Sequence, residues 1–257
     1  MEQEKVALCY FGQPRTFRSC YQNHLEAFIK PLGIEDIFCH IWWDEGEQLD
    51  CGPWSVHVTE GINKSEGSDI ADLISIFKPK SFSFSKPIER SVLGEHDVVS
   101  TLSPEWDKLP DEQKKYSVLH PYYSAFNSVK SVASLLKNYS ESHRIKYDWV
   151  VLTRYDIQLK HQLNSRILDP KKRGVCSFDA FFIFKTEDFF TWASQIEKFD
   201  EYAESFDKAG AWDDGNWVTS ETIQLKFAEE NLGIETDEDF IFERQKHVFH
   251  RGTHLQY

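Results

Sequence analysis

The chain has 257 residues and a formal net charge of −13, long enough for one large α/β domain that buries roughly 75% of the surface its unfolded chain would expose. No run of Lys and Arg offsets the acidity, so the surface as a whole repels phosphate backbones, which argues against nucleic acid as a partner. Aromatic residues make up 15%, with 20 Phe and 8 Trp, an excess that suits stacking surfaces as well as core.

The first apolar run, Val6–Phe11 (VALCYF), is short, β-favouring and ended by Gly12 and Pro14, as a buried strand of an α/β sheet is. Tyr21, Leu25, Phe28 and Ile29 then recur at helical spacing, and Pro31 with Gly33 stops that helix before a second strand at 36–43 (DIFCHIWW). Strand, helix and strand within about 40 residues predict a βαβ unit with parallel strands and a right-handed crossover. The run 54–59 (WSVHVT) alternates and predicts another strand, and Ser68 with Asp69 caps a helix whose inner face is Ile70, Leu73, Ile74 and Phe77. Residues 80–84 read as a further short strand. From 86 to 119 the chain is charged, Pro-punctuated and weakly periodic, which predicts a loop.

Pro121 suits the first turn of a helix, and Tyr122, Phe126, Val129, Ala133 and Leu136 form one apolar stripe behind it. The run 148–153 (DWVVLT) is nearly continuous in apolar residues and predicts a central strand covered on both faces. Residues 180–185 (AFFIFK) predict another, followed by a helix with Phe189, Ala193, Ile196 and Phe199 inward. A last helix spans about 220–231, and 246–249 is a short β-like run. The predicted fold is a single α/β domain with a mainly parallel central sheet flanked by helices.

In such sheets ligands bind beyond the carboxyl ends of the strands. Three places qualify: Gly12-Gln13-Pro14-Arg15, Trp42-Trp43-Asp44 and Thr153-Arg154-Tyr155-Asp156. Phe11, Gly12, Gln13 and Arg15 combine an aromatic face, a permissive backbone, an amide and a guanidinium, which suits a base and its phosphates. An ordinary turn with a surface Arg fits the same residue types. Trp42 and Trp43 fit an aromatic wall or plain packing. Asp156 can hold a divalent ion through oxygen, and Arg154 can fork onto phosphate oxygens or orient that carboxylate. A structural ion pair closing the strand is the other reading of the two.

A helix opening His120-Pro121-Tyr122-Tyr123-Ser124, a Tyr147-Asp148 turn, an apolar strand and Thr153-Arg154-Tyr155-Asp156-Ile157 together resemble glycosyltransferases of the GT-A fold, particularly capsule- and polysaccharide-type enzymes of bacteria and their viruses. The opening VALCYFGQPRTF and the strand DIFCHIWW are similar to the donor-binding start of that family. The resemblance implies a GT-A-like (Rossmann-like) domain, with a donor-binding part at about 1–160 and an acceptor-side part at about 161–257. It also implies a nucleotide-sugar donor, a glycan or related hydroxyl acceptor, and Mn²⁺ or Mg²⁺ held by an Asp-x-Asp element. Here that element reads Arg154-Tyr155-Asp156, so only its second carboxylate is matched.

For deprotonating the acceptor hydroxyl the candidates are Asp213, Asp214 and Glu221. A solvated turn is the default reading of the first two, and dipole-favoured placement in a first helical turn accounts at least as well for Glu221. The resemblance further implies that a C-terminal His can complete the metal site, for which His250, beside Arg251, is the candidate over His247 and His254; His247 and His250, at i and i+3 on a strand, face opposite ways and do not both bind one ion. A sugar nucleotidyltransferase and a non-catalytic carbohydrate-binding or assembly protein remain as rivals on the same fold. The five cysteines, Cys9, Cys20, Cys39, Cys51 and Cys176, are odd in number and lack C-x-x-C spacing. With no signal-peptide pattern and no apolar stretch of about 20 residues, they suggest reduced thiols in a cytoplasmic protein.

Overall fold

The computed structural model describes residues 4–14, 17–43, 67–86, 108–168, 174–177, 181–208, 220–232 and 240–242. The strands are β1 Val6–Phe11, β2 Asp36–Trp42, β3 Ser81–Ser85, β4 Trp149–Arg154, β5 Gly174–Ser177, β6 Phe181–Lys185 and β7 Phe240–Phe242. They form one sheet in the order β3-β2-β1-β4-β6-β5-β7. Pairing is parallel throughout except where β6 runs against β4 and β5. The helices are α1 Phe17–His24, α2 Gly67–Phe77, α3 Asp111–His143, α4 Thr186–Ala193, α5 Phe199–Lys208 and α6 Ser220–Leu232. This is a Rossmann-like α/β domain, as the alternation of strand and helix predicts.

Strand periodicity explains how the two faces are filled. In β1, Ala7, Cys9 and Phe11 face one core cluster, with Tyr122, Phe126, Val129 and Leu136 of α3 and Phe227 of α6. Val6, Leu8 and Tyr10 face the other, with Phe17, Phe28, Leu73 and Phe77. Because side chains alternate along a strand, both faces of β1 and β4 need apolar residues. Hence VALCYF and WVVLTR are continuous rather than alternating.

The helices before β2 and β3 cover one face and α3 covers the other. From β1 the chain steps outward to β2 and β3, then returns along α3 to place β4 on β1's other side. Moving in opposite directions with helices on opposite faces gives the connections from β1 to β2, β2 to β3 and β3 to β4 one common hand, as the right-handed crossover rule requires.

One expected loop is corrected. The span 86–119 ends as helix, because α3 begins at Asp111 and carries Pro121 in its interior rather than its first turn. An interior proline forfeits one backbone hydrogen bond and crowds the preceding turn. Leu119 and Tyr122 on either side of it are buried in the core, and that burial carries the helix through. The helix expected after β6 divides into α4, a 3₁₀ turn at Ser194–Lys198, and α5. Strands β5 and β7 had no sequence signal, being too short for alternation to register. The expected strands at 54–59 and 246–249 lie outside the described residues. No described helix is long and apolar enough to cross a membrane.

Leu8 is fully buried at the centre of the sheet. Leu8→Ala should cost about 2–5 kcal/mol of stability, read as a lower urea midpoint with an unchanged slope.

Candidate functional site at the carboxyl edge of β1 and β4

Phe11 at the end of β1 is level with Arg154 at the end of β4. The loops that follow therefore leave the sheet side by side, at the point where the strand order reverses. Such a switch point opens a crevice between the two loops.

On the β1 side, Gly12 has φ +92°, a conformation that side chains with a Cβ rarely adopt. A Cβ built there would meet no atom within 4 Å, so the residue faces open space. Its N–H donates to Ser128 Oγ of α3 at 2.8 Å, and its carbonyl accepts from the Trp42 N–H at 2.9 Å. Ser128 Oγ also lies 2.6 Å from His40 Nδ1, and His40 Nε2 lies 3.2 Å from Ser85 Oγ. Ser128 Oγ accepts from Gly12 and keeps one lone pair and one proton, so it pairs with His40 Nδ1 in either neutral tautomer, and Ser85 Oγ takes the complementary role at Nε2. Burial pushes the His40 pKa down to about 4, which keeps the ring neutral and the chain of bonds intact.

On the β4 side, Arg154 forks onto Asp156, with Nε 3.0 Å from Oδ1 and Nη2 2.8 Å from Oδ2. The Asp156 side chain is 3% exposed and that of Arg154 16%. Tyr155 between them is fully buried in the core beneath, its ring stacked on Tyr10 at 5.0 Å and its hydroxyl donating to the His40 carbonyl at 3.2 Å. The next turn is held from α1. His24 Nε2 donates to the Ile157 carbonyl at 2.6 Å, and its Nδ1 accepts from Tyr10 Oη at 2.8 Å. The Asn23 amide clamps the backbone of Leu159 in both directions. Burial lowers the His24 pKa to about 4, outweighing the opposing pull of the Ile157 carbonyl and the Asp156 charge.

Of the residues singled out in the sequence, Phe11, Gly12, Gln13, Arg154 and Asp156 converge on this edge. Phe11 is 4% exposed and belongs to the α3-side core, so its ring serves packing more than stacking on a ligand. Gln13 is buried as well. Both oxygens of Asp156 accept from Arg154, and among the described residues no three His, Cys, Asp or Glu side chains group to hold a metal ion. A metal ion at Asp156 would share these oxygens with Arg154. Glu221 sits in the first turn of α6, a helix that packs on α4 and α5. Arg15, Asp44, Asp213, Asp214 and His250 lie outside the described residues.

The supporting residues His40, Ser128, Ser85, His24 and Asn23 were missed. Their signal was faint but present: a histidine within DIFCHIWW and a serine beside an apolar helical stripe are polar groups in buried settings, which need partners. At the opposite, amino edge of the sheet a groove of about 510 Å³ is lined by Glu4, Lys146, Tyr147, Asp148 and Lys185 among others, mixing both charge signs. No protein-family model matches the chain, and no curated protein matches it.

Two expectations follow. Histidines held neutral in the fold take up protons on unfolding, so stability should rise between about pH 4 and pH 6.5 and level off above. Urea midpoints across that range check this, and His40→Asn should remove part of the slope. Ser128→Ala strands the Gly12 N–H and the His40 ring and should cost about 1–3 kcal/mol, measured by the same titration at pH 7.

Proposed function

We propose that the chain is a glycosyltransferase that binds a nucleoside diphosphate sugar in the crevice between the β1 and β4 loops and transfers the sugar to a hydroxyl of a glycan or related acceptor. The observation that carries this reading is the juxtaposition of Gly12 and Arg154 across the switch point, Phe11 and Arg154 being register partners. A glycine with open space at its missing Cβ lets a ligand approach the backbone closely. The guanidinium beside it supplies planar donors suited to phosphate oxygens. Asp156 fixes the plane of that guanidinium while cancelling part of its charge, so diphosphate recognition here depends on donor geometry more than on net field. Gly12, Gln13 and Pro14 and the run Arg154-Tyr155-Asp156, which belong to the stretches that resemble the GT-A family, fall at these two loops.

In this proposal Arg154 meets the diphosphate that leaves when the acceptor oxygen attacks the anomeric carbon. Charge that develops on the leaving oxygen is stabilised by preplaced donors. The acceptor's proton passes to a carboxylate, for which Glu221, Asp213 and Asp214 are the candidates.

A thermal-shift panel of nucleoside diphosphates and their sugars, with and without Mn²⁺, tests the reading. A ligand at a hundred times its Kd should raise the melting point by roughly 5–10 °C. If none shifts it at millimolar concentration, the transferase reading falls. Arg154→Lys keeps the charge and loses the fork, and should weaken the binding of diphosphate ligands about tenfold by calorimetry.

A further inference from the structure

Two buried polar atoms, Trp42 Nε1 at the end of β2 and Ser124 Oγ of α3, have no hydrogen-bond partner among the described residues. Trp42 is 8% exposed and Ser124 1%. Such groups cost free energy in an empty fold, and native proteins leave few of them.

Their positions converge. Along β2 the side chains of Phe38 and His40 face α3, where they meet Tyr139 and Ser128 respectively. Period two puts Trp42 on the same face, one step nearer the carboxyl edge. Moving up β2 therefore means moving toward the N-terminus of α3. Ser124 lies one helical turn beyond Ser128 on the same helix face, which brings it to the level of Trp42. This stretch of α3 also carries Leu119, Tyr122 and Phe126, all buried in the core cluster that Phe11 joins. Beside these core side chains and the neutral His40–Ser128 pair, Trp42 and Ser124 offer one obligate donor and one hydroxyl that can accept or donate. A charged phosphate would be penalised there, whereas a flat, uncharged heteroaromatic edge with an acceptor beside a donor matches the pair.

We propose that Trp42 Nε1 and Ser124 Oγ read the nucleobase of the bound nucleotide, the indole N–H donating to a carbonyl oxygen or ring nitrogen and the serine hydroxyl accepting from the adjacent N–H. The inference rests on the reading of the crevice as a nucleotide site. It divides the ligand between the two sides: the base goes to the α3 face near Trp42, and the diphosphate goes to Gly12 and Arg154.

The test uses Trp42→Phe and Ser124→Ala in the full chain, with calorimetric affinities for the nucleoside diphosphate that best stabilises the wild type and for inorganic pyrophosphate. Each variant should lose roughly three- to tenfold in affinity for the nucleoside diphosphate and keep its affinity for pyrophosphate. The melting point of ligand-free Ser124→Ala should equal or exceed that of the wild type, because an unpaired hydroxyl has been removed. Equal nucleotide affinity in wild type and both variants overturns the inference, and so does a parallel loss for pyrophosphate. A marked drop in the ligand-free melting point of Ser124→Ala also overturns it, since the hydroxyl would then already hold a partner such as a buried water. If the wild type binds no nucleotide at all, it is the transferase reading that fails.

Discussion

Strand β1 is hydrogen-bonded in parallel on both edges and buried on both faces over its whole length. A strand so enclosed cannot shift register without exposing one apolar face and burying mismatched groups against the other. Its end point is therefore set to within a residue, and with it the place where the chain must leave the sheet. Gly12 makes that exit at positive φ, and Ser128 ties the N–H to the helix that leads on to β4. The geometry of the β1 loop, the position of α3 and the register of β4 are in this sense one constraint.

The two edges of the sheet solve the problem of buried polar groups differently. At the amino edge Asp36 is held ionised, its carboxylate accepting from Tyr147 Oη at 2.7 Å with Lys5 at 3.3 Å and Lys80 at 3.6 Å. Burial pushes its pKa up, and the tyrosine hydrogen bond with the two lysines more than reverses this. Both lysines are well exposed, so the pair is screened and its contribution modest. At the carboxyl edge the supports are neutral imidazoles, His40 under the β1 loop and His24 under the β4 loop. Neutral, directional hydrogen bonds hold a loop in one geometry without adding charge beside a crevice proposed to receive a diphosphate. Among the described residues, the Arg154–Asp156 fork is a charged element at that edge.

The sheet was legible because its period is local. VALCYF, DIFCHIWW and DWVVLT each state their own burial, and the Tyr122 to Leu136 stripe states the face of α3. What local pattern misstated was α3's beginning, since Pro121 marks a helix start when only neighbours are considered. The burial of Leu119 and Tyr122 beneath the sheet outweighs that preference. Strands β5 and β7 failed for the opposite reason, having too few residues for any period to show.

From the sequence by itself came the α/β class, the positions of the central strands and the two loops, GQPR and TRYD, at which chemistry was sought. The polar supports came only from the tertiary structure. His40, Ser85 and Ser128 are separated by dozens of residues, and no spacing rule joins them to Gly12. They meet because β2, β3 and α3 stack against β1, and a hydrogen bond needs approach within about 3 Å, which sequence distance does not encode. The pairing of Arg154 with Asp156 was one of two readings the sequence left open. The turn at Tyr155, with its ring sunk against Tyr10, decided that the guanidinium closes on the carboxylate.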